Sequence, residues 1–317
     1  MIAEGAWPPL PHADSQDTLG TLHMWTQIIG KTRLATAPMQ NHWWNVTLYL
    51  TTRGLTTSPM PFERGTFDVE LDFISSTLHV RVNDGDTRSL PLVQQSVADF
   101  YAAYTAMLAS LDIHVPIRPI PVEVETAIPF AEDRVHASYD AGVAERWWRI
   151  LEQTSRVLGK FRSEFLGKAS PIHFFWGGFD LAYTRFSGRV APRHAGGVPN
   201  CPDYVMVEGY SRECSSCGFW PGGGVVNEPA FYAYAYPEPA GYKDSAVPAE
   251  ARYLSEFGEF ILPYESVRSA SNGEALLLDF FRSTYDAAAT LGKWDRAILD
   301  RSGVVPASDE KKLNPSL

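Results

Sequence analysis

The hydrophobic and polar positions in the first third of the chain predict a helix, an antiparallel sheet and a second helix. Apolar residues recur at near-helical spacing over residues 18–37, and Pro38 ends that stretch. Residues 67–73 alternate between apolar and acidic side chains, which is typical of a half-buried strand. Strand patterns also cover residues 42–52, 78–82 and 89–93, and a closing helix capped by Ser96 runs to about residue 111.

The second part of the chain repeats this order. Residues 28–33 resemble residues 157–162. Shorter matching pairs follow in the same sequence, at 42–44 and 173–175, at 52–53 and 184–185, and at 99–104 and 279–285. Self-similarity of this kind indicates an internal duplication. We therefore predict an α+β fold made of two tandem repeats of a helix, four-stranded antiparallel sheet, helix unit.

These patterns also suggest boundaries along the chain. Residues 1–112 form the first repeat, residues 113–142 a proline-rich connecting strap, residues 143–300 the second repeat, and residues 301–317 a disordered tail. The second repeat is expected to open with a helix over 144–166, to place strands at 171–188, near 210–217, at 231–236 and at 260–264, and to close with a helix over 274–291. A Gly/Pro-rich insertion at 189–204 has no counterpart in the first repeat.

Charge and composition exclude several classes of protein. The net charge is −10 and no basic cluster stands out, so nucleic acid binding is not expected. A cytoplasmic location is expected, because the chain lacks both an export signal and an apolar run long enough to span a membrane. The three cysteines, including Cys214 and Cys217 in a C-x-x-C spacing, are interpreted as reduced thiols, since no fourth zinc ligand follows.

One face of the second sheet departs from the usual polar surface. Alternation over residues 231–236 puts three tyrosines on one side. The neighbouring strand is expected to place Phe174, Trp176, Asp180 and Thr184 along one side. Aromatic walls with a few polar groups are typical of small-molecule sites. The alternative interpretation, that the other repeat or a partner chain covers this face, stays open.

Titratable residues near this face are candidates for acid–base chemistry. A histidine near a carboxylate can transfer protons near neutral pH, and an arginine can hold an anionic group. The candidate catalytic residues are His173, His136, Glu213 and Asp180, and the candidate substrate-binding residues are Arg185, Trp176, Tyr232, Tyr234, Tyr236 and Trp220. Structural roles stay open for His173 and Arg185, because His42 and Arg53 occupy the matching positions of the first repeat.

The sequence gives less guidance on cofactors and partners. The histidines among these candidates are far apart in the chain, so no obligatory metal is predicted, and no cofactor is assigned. A small-molecule substrate is the expected partner, no membrane or nucleic acid partner is expected, and oligomerisation is left open.

Several segments resemble a known family. They are residues 25–28, 41–44, 53–57, 133–140, 173–177, 184–188, 218–223 and 233–240. Together they resemble the bacterial domain of unknown function family 5996, over about residues 7–300. The resemblance implies a bacterial, soluble protein and carries no activity with it.

Two functional hypotheses follow from these observations. The first is a small-molecule enzyme that uses His/carboxylate acid–base chemistry in an aromatic pocket of the second repeat. The second is a non-catalytic ligand-binding or assembly module that uses the aromatic face as an interface. A concave pocket with converging His or carboxylate side chains would favour the first hypothesis, and a flat patch would favour the second.

Overall fold

A computed structural model describes residues 7–223 and 226–301, and in this part of the chain helices and strands are mixed. The helices are α1 (His12–Thr36), α2 (Val97–Ala109), α3 (Ala141–Ser163), α4 (Asp203–Gly209), α5 (Tyr264–Ser269), α6 (Gly273–Leu291) and α7 (Arg296–Leu299), with 3₁₀ helices at Asn41–Val46 and Tyr242–Asp244. The strands are β1 (Tyr49–Leu50), β2 (Gly54–Thr56), β3 (Met60–Phe62), β4 (Gly65–Asp72), β5 (Thr77–Val82), β6 (Thr87–Pro91), β7 (His173–Phe175), β8 (Asp180–Val190), β9 (Arg212–Trp220), β10 (Ala230–Tyr236), β11 (Arg252–Leu254) and β12 (Glu259–Pro263).

The strands form two antiparallel sheets of six strands each. The first has the order β1-β2-β4-β5-β6, with β3 also paired to β4, and the second has the order β11-β12-β10-β9-β8-β7. Helix α1 packs on α2, and α3 packs on α6. The α+β class is therefore confirmed, but each sheet has six strands instead of the predicted four.

The first sheet buries the apolar side of its strands, as the alternation predicts. Phe67, Val69 and Leu71 on β4 are each 1% exposed. The opposite side is less solvated than expected, because Glu70 and Asp72 are also buried. Each has an arginine partner: Arg81 Nη2 lies 2.5 Å from Glu70, and Arg53 Nε lies 2.5 Å from Asp72. Ion pairing lets these carboxylates lie under neighbouring side chains, so the prediction of a simply solvated face is wrong.

The second sheet buries its core face against α3 and α6. Trp147 and Phe161 of α3 are almost fully buried, and so are Phe280 and Phe281 of α6. The side chain of Trp147 stacks on Phe179 at 4.8 Å between ring centroids. Because the helices cover this face, the ligand-accessible side of the sheet is the other one, which carries the tyrosines of β10.

A backbone bridge joins the two sheets. The N–H of Leu48 donates to the carbonyl of Phe174 at 2.9 Å, and the N–H of Phe174 donates back to Leu48 at 3.0 Å. Leu48 lies just before β1 and Phe174 lies on β7, so the bridge connects the edge strand of each sheet to the other.

The segment predicted as the first strand has a different structure. Residues 41–46 form a 3₁₀ helix, and within it His42 and Trp43 have φ angles of 58° and 60°. Only Tyr49–Leu50 forms a strand. The strand prediction for residues 42–52 is therefore wrong over most of its length, because two successive residues adopt a left-handed backbone that a polarity pattern does not reveal.

Most other elements lie near their predicted positions. Ser96 caps α2 by accepting a hydrogen bond from the backbone N–H of Asp99 at 3.1 Å. The strap predicted at residues 113–142 contains no helix or strand between Ile113 and Asp140. It is held along its length, for example by a hydrogen bond from the N–H of Glu123 to the carbonyl of Pro199 at 2.9 Å. The predicted tail lies outside the described residues from position 302 onward.

Candidate functional site

The tyrosine-bearing face of the second sheet opens into a cavity of about 220 Å³. Helix α4 and the first 3₁₀ helix pack together over one side of it, and the strap contributes Glu123. The lining residues are His42, Trp43, Trp44, Val46, Glu123, Phe175, Asp180, Ala182, Thr184, Phe186, Val205, Met206, Gly209, Tyr210, Cys214, Ser216, Tyr232 and Tyr234. The surface is therefore concave and mainly aromatic, with two carboxylates.

Strand alternation explains which side chains reach the cavity. On β8, residues 180, 182, 184 and 186 line it, while the residues between them face the helices. Strand β9 lies between β8 and β10. Its Ser216 is in register with Thr184 of β8 and Tyr234 of β10, and its Gly218 is in register with Tyr232 of β10. Of the four residues predicted to share one side of the strand at residues 171–188, Asp180 and Thr184 lie on the tyrosine side, whereas Phe174 and Trp176 are packed in the core.

Hydrogen bonds between side chains order this wall. The Tyr232 hydroxyl donates to Asp180 Oδ2. The hydroxyls of Tyr210 and Tyr234 are 2.8 Å apart. The rings of Tyr232 and Tyr234 stack with an interplanar angle of 15° and a centroid distance of 6.1 Å. These contacts fix the orientation of the polar groups before any ligand arrives.

The ionisation of Asp180 is shifted toward neutral pH. Burial raises the pKa of its carboxyl group from 3.8 to about 6, and the hydrogen bond from Tyr232 opposes that rise. The same burial, together with the nearby negative charge of Asp180, raises the pKa of the Tyr232 hydroxyl well above its usual value. Asp180 can thus gain or lose a proton near neutral pH, whereas Tyr232 stays a donor.

Two further carboxyl groups lie near Asp180. Protein atoms around the Glu123 carboxyl group, and then the charge of Asp180, raise its pKa to about 7, although the residue as a whole is exposed at the mouth of the cavity. The pKa of Glu259 is raised to about 7 for the same two reasons. Glu259 is not a lining residue, but it lies two positions from Ile261, the partner of Tyr232, and so on the tyrosine side of β12. Asp180 is less exposed to solvent than Glu123.

An unusual backbone presents the aromatic residues of the opposite wall. His42 and Trp43, both with left-handed φ angles, precede Trp44, and all three residues line the cavity. The His42 ring donates from Nδ1 to the carbonyl of Gly209 at 2.8 Å, and it stacks on Trp44 at 5.3 Å. Glu123 also has a positive φ, of 60°. Strained backbone of this kind clusters at functional sites, where the surrounding structure holds it in place.

His173, a predicted catalytic residue, lies behind this wall. Its side chain is 0% exposed, and its ring lies about 5.5 Å from those of Trp44, Tyr49 and Phe175. Neither ring nitrogen has a hydrogen-bond partner among the described residues. Burial lowers its pKa to about 3, so the imidazole is neutral and inaccessible. The geometry corrects the expectation that His173 reaches a substrate.

Arg185, predicted to hold an anionic group, points to the opposite side of the sheet. Its guanidinium carbon lies 3.5 Å from the ring centre of Phe161 and 4.2 Å from that of Tyr285. It donates to the carbonyl of Phe161 and is 2% exposed. A substrate in the cavity cannot touch this group, because β8 lies between them. Arg53, which the sequence comparison predicts to be its counterpart, is half exposed, so the two arginines are not equivalent.

The remaining catalytic candidates are also separated from the cavity. Glu213 accepts a hydrogen bond from Ser187 and pairs with Arg189, whose Nη2 lies 2.6 Å from it. His136 donates from Nδ1 to the buried Asp133 at 2.7 Å. The structure thus gives His136 a carboxylate partner, but neither His136 nor Glu213 lines the cavity.

The predicted aromatic binding residues divide into two groups. Tyr232 and Tyr234 line the cavity. Tyr236 lies next to it, in contact with Tyr210, and its hydroxyl donates to Pro192 at 3.1 Å. Trp220 and Trp176 do not line the cavity.

The packing of Trp176 explains why residue 30 is a glycine. Its Nε1 donates to the carbonyl of Val46 at 2.7 Å, and its ring lies directly against α1. A Cβ atom at Gly30 would come within 2.2 Å of that ring. The ring therefore needs a glycine at this point of α1.

The C-x-x-C cysteines point to opposite sides of β9, since residues three apart on a strand differ in direction. Cys214 lines the cavity, whereas Cys217 contacts the core. Burial raises the pKa of each thiol to about 12. Both are free cysteines, in agreement with the predicted reduced thiols.

The described residues contain neither a cluster suited to a metal ion nor a helix suited to spanning a membrane. No group of three or more His, Cys, Asp or Glu side chains in this part of the chain is arranged to hold a metal ion, and the expectation about metal stays a prediction. None of the helices described combines the length and the apolar character that crossing a membrane requires.

Several cavity residues were not among the sequence candidates. Glu123 comes from the strap, Tyr210 follows α4, and Trp43 lies in a turn interpreted as a strand. Glu259, which does not line the cavity, immediately precedes the strand predicted at residues 260–264.

The fold and the cavity together define an α+β protein with an acidic, aromatic pocket of small-molecule size. The family of unknown function DUF5996 matches residues 7–301, so the chain belongs to that family and the resemblance found in the sequence is confirmed. Searches of curated proteins and of solved structures each found no match.

Proposed function

We propose that this protein is a small-molecule enzyme in which Asp180 transfers protons to and from a substrate bound in the pocket. The observation that carries the proposal is the Asp180–Tyr232 pair on the cavity wall. A carboxyl group with a pKa of about 6 is matched to general acid–base work near neutral pH. Tyr232 holds the carboxylate in one orientation, and Glu123 offers a second proton-transfer group at the mouth.

The rival hypothesis is a binding or assembly module without catalysis. A flat aromatic patch would have favoured assembly, whereas the concave cavity favours a small ligand. Raised carboxyl pKa values at a pocket are more typical of an active site than of a passive surface. Binding without turnover is therefore an outcome that the experiment must separate from catalysis.

Three further features belong to the same proposal. We propose that the two sheets and their helices descend from an internal duplication, which the equivalent packing of α1 on α2 and of α3 on α6 supports. We also propose that the protein is bacterial and works in the cytoplasm on a freely diffusing substrate. The net charge of −10 argues against nucleic acid as a partner.

The test compares the protein with its Asp180→Asn variant in a bacterial metabolite extract followed by mass spectrometry. Catalysis predicts at least one compound that the native protein consumes and the variant does not. Glu250→Gln, which removes an exposed carboxylate away from the pocket, is the matched control and should behave as the native protein. Retention of a compound on the protein without any product would instead support the binding module.

A further inference from the structure

We propose that the pocket takes an organic cation, that is, a small molecule with a protonated amine or a quaternary ammonium group. This inference deepens the proposed function, because it names the substrate class of the same site, and it rests on that site being the substrate pocket. It replaces the expectation of an anionic substrate, which depended on Arg185.

The first argument is uncompensated negative charge. Glu123 and Asp180 line the cavity, Glu259 lies on the same side of the sheet, and the lining contributed by residues 7–223 and 226–301 contains neither lysine nor arginine. Within the described ranges, none of these three carboxyl groups has a basic nitrogen within 4.0 Å, the limit that defines an ion pair.

Three other buried or half-buried carboxylates have basic partners. Glu70, Asp72 and Glu213 each have an arginine partner at 2.5 or 2.6 Å. Burying a carboxylate without a partner is costly, so an unpaired group in a pocket calls for a ligand that supplies the charge. A cationic ligand supplies it, whereas an anionic ligand adds to the repulsion.

The second argument does not depend on the carboxylates and comes from the aromatic rings of the lining. Seven aromatic side chains line the cavity in addition to His42: Trp43, Trp44, Phe175, Phe186, Tyr210, Tyr232 and Tyr234. The faces of such rings attract ammonium groups, and aromatic cages are a known means of recognising quaternary ammonium ligands. The two arguments converge on one chemistry, because rings surround the cation while carboxylates balance its charge.

The nearby basic residues do not change this picture. Lys31 and Arg118 affect each other electrostatically, but neither lines the cavity. The Lys31 ammonium lies 5.6 Å from the ring centre of Trp176, and burial lowers its pKa to about 8. His42 is the only basic residue in the described lining, and its Nδ1 is committed to Gly209.

The experiment measures binding to the native full-length protein with pairs of probes that match in shape and differ in charge. Choline is compared with 3,3-dimethylbutan-1-ol, and benzylamine with benzyl alcohol, by isothermal titration calorimetry. Acetate serves as the anionic probe. We expect each cation to bind about 10-fold more tightly than its neutral partner, and acetate to show no binding.

Variants locate the effect. Asp180→Asn and Glu123→Gln should each weaken the cation about 10-fold and leave the neutral probe unchanged, while Glu250→Gln should change neither. Glu123→Gln keeps the comparison usable if Asp180→Asn folds poorly, and the probe pairs test the idea on the native chain alone. Equal binding of charged and neutral probes, tighter binding of acetate, or no binding of either cation at millimolar concentration would overturn the inference.

Failure of this inference is distinguishable from failure of the proposed function. Cation binding without turnover in the metabolite extract leaves the substrate class standing and removes catalysis. Turnover of a neutral or anionic compound that depends on Asp180 leaves catalysis standing and removes the cation.

Discussion

Replacing Asp180 with asparagine should stabilise the protein at neutral and alkaline pH. The folded protein holds the pKa of this carboxyl group at about 6, whereas an unfolded chain has the ordinary value of 3.8. Between these two values the folded state binds more protons than the unfolded state, so stability falls as the pH rises. Above pH 6 the cost of ionising Asp180 is fully present, and the asparagine variant does not have this cost.

The size of the effect follows from the same two values. The difference between 3.8 and about 6, at ~1.36 kcal/mol per pH unit, corresponds to about 3 kcal/mol. Water in the open cavity screens part of this, and we expect about 2 kcal/mol at pH 8 and almost none at pH 3.5. The asparagine oxygen can still accept the hydrogen bond of Tyr232, so that contact is kept.

Urea unfolding followed by tryptophan fluorescence, at a series of pH values, measures this difference. The matched control is Glu250→Gln, which removes the same charge from an exposed position and should stay within about 0.5 kcal/mol of the native protein. A constant loss of stability for Asp180→Asn at every pH, or a pH dependence equal to that of the native chain, would refute the reasoning.

Four substitutions at three other positions test the contacts described around the pocket. Tyr232→Phe removes the hydrogen bond that opposes the rise in the Asp180 pKa, so the pH-dependent step in stability should move to higher pH, with a loss of about 1 kcal/mol; an unchanged step would contradict the assigned contact. His173→Ala should cost about 3 kcal/mol, the range for emptying a large buried side chain. His173→Phe should lose less stability than His173→Ala. It should also resist acid better than the native protein in the same urea assay, because between pH 6.5 and about 3 the native imidazole is protonated only in the unfolded chain, which favours unfolding. Arg185→Ala should lower the free energy of unfolding by about 3–5 kcal/mol but leave cation affinity per folded molecule unchanged in calorimetry. A selective loss of affinity would show that Arg185 does belong to the binding site.

Alternation along strands made part of the pocket predictable. The tyrosines at 232 and 234 share a side, and Asp180 and Thr184 lie on the matching side of β8. The same rule could have excluded Arg185, which is adjacent to Thr184 and must therefore point the other way.

The rest of the pocket depends on contacts between distant parts of the chain. Glu123 reaches the cavity because the strap is pinned to the insertion at Pro199, and Tyr210 reaches it after α4. His173 does lie on the tyrosine side of its strand, yet Trp44 of the first 3₁₀ helix and Tyr49 of β1 cover it. Local patterns give the direction of a side chain, but burial is decided by partners more than a hundred residues away.

The bridge between Leu48 and Phe174 has a consequence for how the chain avoids aggregation. An unpaired edge strand is a template on which another chain can add, and each sheet would have such an edge at β1 or β7. Here each edge protects the other, through reciprocal backbone hydrogen bonds of 2.9 and 3.0 Å. A fragment cut within the strap would expose both edges at once, so separately expressed halves should self-associate through these edges.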